Sequence, residues 1–173
     1  MPLPTLTTPT YELKLPSTGK KIKYRPFLVK EEKILIIALE TRDQSEMTNA
    51  VKDVLKKCIL TRGVKVDNLP TFDIEFIFLN IRAKSIGEDI KLTVTCPDDR
   101  ETQVSTTIYV DEIEVVKPKD HTTDIILEKD LTLRMKYPSL NQFIESNFDV
   151  NDSSEDVVDK TFQVVADCID TVF

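Results

Sequence analysis

The chain has no tryptophan, one histidine, three glycines and three cysteines in 173 residues. Each shortage removes a class of chemistry. Gly19, Gly63 and Gly87 are too few and too scattered for a loop that cradles phosphate through successive backbone amides. The single histidine, His121, sits among Lys119, Asp120 and Thr122, with no nucleophile elbow or oxyanion-hole turn near it. An odd number of separated cysteines makes no disulfide framework. The absence of tryptophan weakens a glycan-cleft reading. The paired carboxylates Glu31–Glu32 and Asp98–Asp99 are adjacent in sequence, as in solvated helix starts and turns, not held apart across a cleft. The sequence therefore predicts neither an enzyme nor a cofactor.

Long apolar runs are missing too. None approaches the ~20 residues needed to span a membrane, and the Pro- and Thr-rich start lacks the basic and apolar regions of a secretory signal. The expectation is a soluble chain made in a reducing cytoplasm, with no membrane partner. Positive charge is also in deficit. Charged residues make up 31% of the chain and the net charge is −7, which argues against nucleic acid, since affinity for phosphate backbones needs clustered Lys and Arg. Lys14, Lys20, Lys21, Lys23 and Arg25 do cluster, and are expected to form a solvated hairpin face. A hydrophobic content of 40% is enough for a core in one or two domains.

The most distinctive stretch runs from Ile22 to Leu39. Ile22 and Tyr24 alternate with Lys21, Lys23 and Arg25, and Pro26 removes a backbone donor and stops that strand. Glu31 and Glu32 then suit the positive end of a helix dipole. The nearly unbroken apolar run Ile34–Leu39 covers almost every side of that helix and predicts burial on more than one face. Between strand and helix, Arg25, Pro26 and Phe27 form a rigid elbow. It is either an internal strut, with Phe27 in the core and Arg25 paired to Glu31 or Glu32, or an interface anchor, since Arg and aromatics are enriched at hot spots.

Around this stretch the chain divides into an extended arm (1–10), a hairpin plus helical region (11–85), a small antiparallel β region (86–137) and a C-terminal helical region (138–173). Tyr11, Leu13 and Leu15 alternate with polar residues, and Pro16-Ser-Thr-Gly19 is turn chemistry, so the first region opens with a β-hairpin. Ser45 is the expected cap of a second helix carrying Met47, Ala50, Val51, Val54, Leu55, Cys58 and Ile59 on one face, with Gly63 as its terminator. Cys58 on that stripe is expected to be a core thiol. A third helix opens at Leu69-Pro-Thr-Phe-Asp73. Its Ile and Phe content would also suit a strand, but Glu75, Asn80 and Arg82 break strict alternation.

Past Gly87 the period becomes two. Ile90, Leu92, Val94 and Cys96 alternate with Lys91, Thr93 and Thr95, and after a Pro-Asp-Asp-Arg turn Val104, Thr106, Ile108 and Val110 alternate with Ser105, Thr107 and Tyr109, which predicts a hairpin. A second pair, Ile125–Leu127 and Leu131–Met135, completes an expected sheet of about four short strands. Pro138-Ser139 opens a short helix through Phe143 and Ile144. The last helix is expected to run from Ser154 to Phe173, with Val158, Phe162, Val165, Ile169 and Val172 on one stripe. A second row beside it holds Val157, Thr161, Val164 and Cys168. The first row is expected to dock on the chain's own core. Val157, Val164 and Cys168 are expected, with Arg25, Pro26 and Phe27, to bind a partner or a second copy.

The segment from Tyr11 to Leu35, YELKLPSTGKKIKYRPFLVKEEKIL, resembles the baseplate hub assembly proteins of T-even-like contractile-tailed bacteriophages. Ile86-Gly-Glu88, Cys96-Pro97 and Lys136-Tyr-Pro-Ser139 resemble the same family's downstream landmarks, so the likeness reaches from about Tyr11 to about Ser139. It implies a non-enzymatic protein of hub and tail-tube initiation assembly. Implied partners are other hub or tape-measure proteins, met in the host cytoplasm during assembly, with the virion baseplate as a second implied location. The hairpin, Arg-Pro elbow and Glu-rich helix also resemble phage tail-assembly chaperones. In the family pattern Cys-Pro is often followed by a second cysteine at zinc-knuckle spacing. Here Asp98 and Asp99 occupy that turn, and Cys96 with His121 gives too few ligands for structural zinc. The expected fold class is α+β: an N-terminal β-hairpin with helices, a small antiparallel sheet and a C-terminal amphipathic helix. The alternative function is a zinc-ribbon-like nucleic-acid adaptor that has lost its ligands.

Overall fold

A computed structural model describes residues 8–142 and 154–173. The fold is α+β, in two compact units. One holds the chain up to Val64 together with Glu75–Val115, and the other holds Lys65–Ile74 with Val116–Phe173.

The first unit opens with the expected hairpin, β1 (Tyr11–Lys14) against β2 (Lys21–Tyr24), antiparallel with Leu13 opposite Ile22. Gly19 closes its turn at φ +71°, a backbone region that L side chains avoid. The free edge of β2 is used. Arg25 N–H donates to the Cys58 carbonyl at 3.0 Å, and Leu60 N–H donates to that of Lys23 at 2.8 Å. Ile22 and Tyr24 are thereby sealed in the core.

Helices α1 (Val29–Thr41) and α2 (Gln44–Cys58) pack on one another. Arg42 turns left-handed (φ 56°) and ends α1, its N–H returning to the Leu39 carbonyl at 3.3 Å. Asp43, and not the expected Ser45, caps α2: its carboxylate accepts the N–H groups of Ser45 (2.7 Å) and Glu46 (3.2 Å). The tight left-handed exit of α1 leaves one residue before the next helix, so the cap falls earlier. Gly63 is not the terminator of α2 either. That helix stops at Cys58 because Ile59 turns extended to pair with Tyr24, and Gly63 serves the turn that follows.

On α2 the apolar stripe is as expected: Ala50, Val54, Leu55 and Cys58 are buried. Burial pushes the Cys58 thiol up to about 11, as suits a core sulfur and not a reactive one. The long α3 (Thr71–Ile86) is a helix, and Ile74, Ile77, Ile81 and Ala83 lie on its buried side.

The strands β3 (Asp89–Thr95) and β4 (Gln103–Tyr109) form the expected hairpin, paired antiparallel with Ile90 opposite Ile108, Leu92 opposite Thr106 and Val94 opposite Val104. They form a two-stranded sheet of their own. The expected single sheet of about four strands is thus corrected. In the second unit β5 (Asp124–Glu128), β6 (Leu131–Met135) and β7 (Ile169–Val172) form a separate three-stranded antiparallel sheet in that order. Alternation identifies strands but not which strand lies beside which.

β7 also corrects the C-terminus. Helix α4 spans Ser154–Asp167, and Ile169–Val172 leave the helical stripe to pair with β6. Thr132 and Phe173 exchange both backbone hydrogen bonds (3.1 and 2.9 Å) beyond the last strand residue. Of the short helix expected through Phe143 and Ile144, residues 140–142 are helical, and Phe143 and Ile144 lie outside the described residues.

Candidate protein interface

The elbow between β2 and α1 is built around a buried carboxylate. Glu31 has no exposed side-chain surface, and Arg25 is 14% exposed. The Arg25 guanidinium donates to Glu31 Oε1 at 3.2 Å and Oε2 at 3.5 Å, and to the Pro26 carbonyl at 2.9 Å. Glu31 Oε2 also accepts the Leu28 N–H at 2.7 Å, the acidic half of a capping box at the start of α1. Lys30 Nζ adds its charge at 3.6 Å. Burial alone would push the Glu31 carboxyl up. The hydrogen bonds from Arg25 and Leu28 and the two cations outweigh it, and the group sits below its ordinary value. Phe27 is buried, and its N–H donates to Ser85 Oγ at 3.0 Å, which ties the elbow to α3. Arg25, Pro26 and Phe27 therefore sit as an internal brace that sets the direction of α1.

What the brace presents is the unexpected part. The apolar run of α1 is not buried on several faces. Ala38 is buried, but Ile36, Ile37 and Leu39 are 50%, 51% and 59% exposed, and Val29 is 80% exposed. Among the described residues, this unit's other layers cover one side of α1. Six consecutive apolar residues wrap the whole helix, so those on the far side meet solvent. Between α1, α2 and α3 lies an apolar groove of about 330 Å³, lined by Leu35, Met47, Val51 and Phe78 among others, with Glu32 and Arg82 as its charged lining residues. Sequence patterning missed this surface. The signal available was the lack of any charged face on α1 between Lys33 and Glu40.

Other apolar surface is exposed as well. On one face of the β3–β4 hairpin Leu92, Val94, Val104 and Ile108 are 39–59% exposed. In β5, Ile126 is 75% exposed. On α4 the first row, expected to dock on the chain's own core, is the exposed one, while the second row is exposed at Thr161 and covered towards its C-terminal end. Val158, Phe162 and Val165 are exposed, with Phe162 at 70%, whereas Val164 is half-buried and Cys168 is buried. The cause is β7: Lys136 N–H donates to the Cys168 carbonyl at 2.7 Å, which pins that side of the chain to the sheet. The Val157 side chain lies outside the described residues.

The polar candidates have local structural work. His121 Nε2 lies 2.7 Å from the Tyr137 hydroxyl, and the two rings stack while Phe72 meets Tyr137 edge-on. At the β3–β4 turn, Asp99 accepts the N–H groups of Glu101 and Thr102, both at 3.1 Å, and the Thr102 hydroxyl. Those bonds hold its carboxyl below the usual range. Asp99 thus closes the turn as an Asx residue, with Cys96 N–H bonded to the Thr102 carbonyl at 2.8 Å. Among the described residues no group of three or more His, Cys, Asp or Glu is placed to hold a metal, and nothing there supports the nucleic-acid adaptor. No helix is long and apolar enough to cross a membrane among those residues.

No curated protein and no solved structure matches the chain. A family model described as T4 bacteriophage base plate protein does, over residues 8–173, which takes in the elbow, the exposed α1 and both β regions. The chain belongs to that family, and with it to the structure or assembly of the phage tail baseplate among other baseplate proteins.

Proposed function

We propose that this protein acts without catalysis in building the central hub of the baseplate and the complex that initiates the tail tube. Its partners in that reading are other hub proteins or the tape-measure protein, met in the host cytoplasm during assembly. The observation that supports it is the α1 surface. A free-standing chain gains nothing by leaving Val29, Ile36, Ile37 and Leu39 in water, whereas exposed apolar side chains gathered on one helix are what an assembly interface covers. Arg25, Pro26 and Phe27 serve that interface by fixing the angle of α1. Val164 and Cys168 hold α4 to its sheet, and the Phe162 side of α4 is a second contact; Val157 belongs to the same helix.

The test is recovery of the tagged chain from infected cells with quantitative mass spectrometry of what accompanies it. Enrichment of hub or tape-measure proteins is expected. Recovery of the chain alone, or with outer baseplate proteins only, would overturn the hub assignment.

A further inference from the structure

We infer that the outer stripe of α1 pairs with the same stripe of a second copy, the two helices running antiparallel about a two-fold axis between Ile36 and Ile37. The residues facing away from the core are Val29, Lys33, Ile36 and Glu40, spaced by four, three and four, the seam spacing of paired helices, with Ile37 beside them. Val29, Ile36 and Ile37 are exposed by half or more. Lys33 and Glu40 are exposed too. Seven residues apart, these two charges are separated by about 10 Å along the helix, too far to neutralise one another.

The charge order selects the occupant. In the antiparallel arrangement, Ile36 lies against Ile37 of the second copy, and Lys33 falls opposite Glu40 of the second copy. The two-fold repeats that pair at the other end. A parallel arrangement would set Lys33 on Lys33 and Glu40 on Glu40. A base, an apolar centre and an acid in that order make a surface complementary to itself, which an isologous contact requires and a contact with an unrelated chain does not. The net charge of −7 on each copy opposes association at long range, but physiological salt screens charges beyond about 8 Å. This inference does not depend on the hub assignment, and the experiment below uses the purified chain alone.

Sedimentation velocity of the full chain over a concentration series at physiological salt should show a monomer–dimer equilibrium. Lys33→Glu and Glu40→Lys, both at exposed positions, should each raise the dimer dissociation constant by about tenfold, since both symmetry-related pairs become repulsive. An equimolar mixture of the two variants should form a mixed dimer again, because one chain then carries an acid at both positions and the other a base at both. The double variant should also dimerise. Circular dichroism of each variant should match the parent. A monomer at every concentration up to about 1 mM, a dimer that neither single variant weakens, or a mixture that stays monomeric would each overturn the proposal.

Discussion

Replacing Arg25 with Met keeps most of the side chain's bulk and removes both guanidinium contacts to Glu31. The carboxylate would remain with the Leu28 N–H and Lys30, and it has no exposed surface on which water could replace the lost donors. Removing one partner of a buried ion pair costs about 3–5 kcal/mol. Arg25 is itself partly exposed, so about 2–4 kcal/mol at neutral pH is the better figure. The pH dependence gives a second handle. Glu31 is held below the ordinary glutamate value of 4.5. A carboxylate of that kind contributes stability that is fully present above the unfolded value and is lost as pH falls through the folded one. In Arg25→Met the folded value rises, so the variant has little such stability left to lose in acid. Chemical denaturation of both proteins at pH 7 and again near pH 4 should show a large gap that narrows in acid. Loss of less than about 0.5 kcal/mol at pH 7, or a gap of constant size, would refute the brace.

Other outcomes follow from the same packing. Thiol labelling of the native chain at pH 8 should be fast at Cys96 alone, because Cys58 and Cys168 are buried and burial raises both thiols; three equally fast sites would contradict the core. Ile77→Ala should cost about 2–5 kcal/mol in urea denaturation, since that side chain is fully buried. Phe162→Ala should cost well under 1 kcal/mol, its ring being mostly in solvent, and a core-sized loss would show that α4 docks differently. Asp43→Ala should lower stability by about 1 kcal/mol through loss of the α2 cap, with Ser45→Ala nearly neutral as the control.

The hairpins were legible because a period of two marks their strands, and a turn between two such runs marks the pair, as in β3 and β4. The α2 stripe was legible for the same reason at helical period. The exposure of α1 was not. Six apolar residues in a row do not say on which side the chain will run out of neighbours. Nor was β7, because Ile169 and Val172 continue the four-and-three spacing of α4 while their backbone pairs with β6, a tertiary partner more than thirty residues earlier in sequence. The Glu31 carboxylate lay within the reach foreseen for Arg25, but its complete burial is a product of tertiary packing that the local sequence does not show. The likeness to phage baseplate proteins that the Arg25-Pro-Phe stretch helped to carry is matched by the family model over residues 8–173, although that elbow faces inward.

The central claim, that the apolar side of α1 exists to be covered in assembly, is tested most directly by side-chain footprinting. The chain would be labelled with a short-lived carbene reagent, once as the dilute purified protein and once within the baseplate intermediates with which it sediments. Val29, Ile36, Ile37 and Leu39 should label strongly in the dilute protein and lose most of that labelling in the intermediate, while exposed residues such as Lys20 and Arg42 keep theirs. Equal labelling of α1 in the two states would contradict the account.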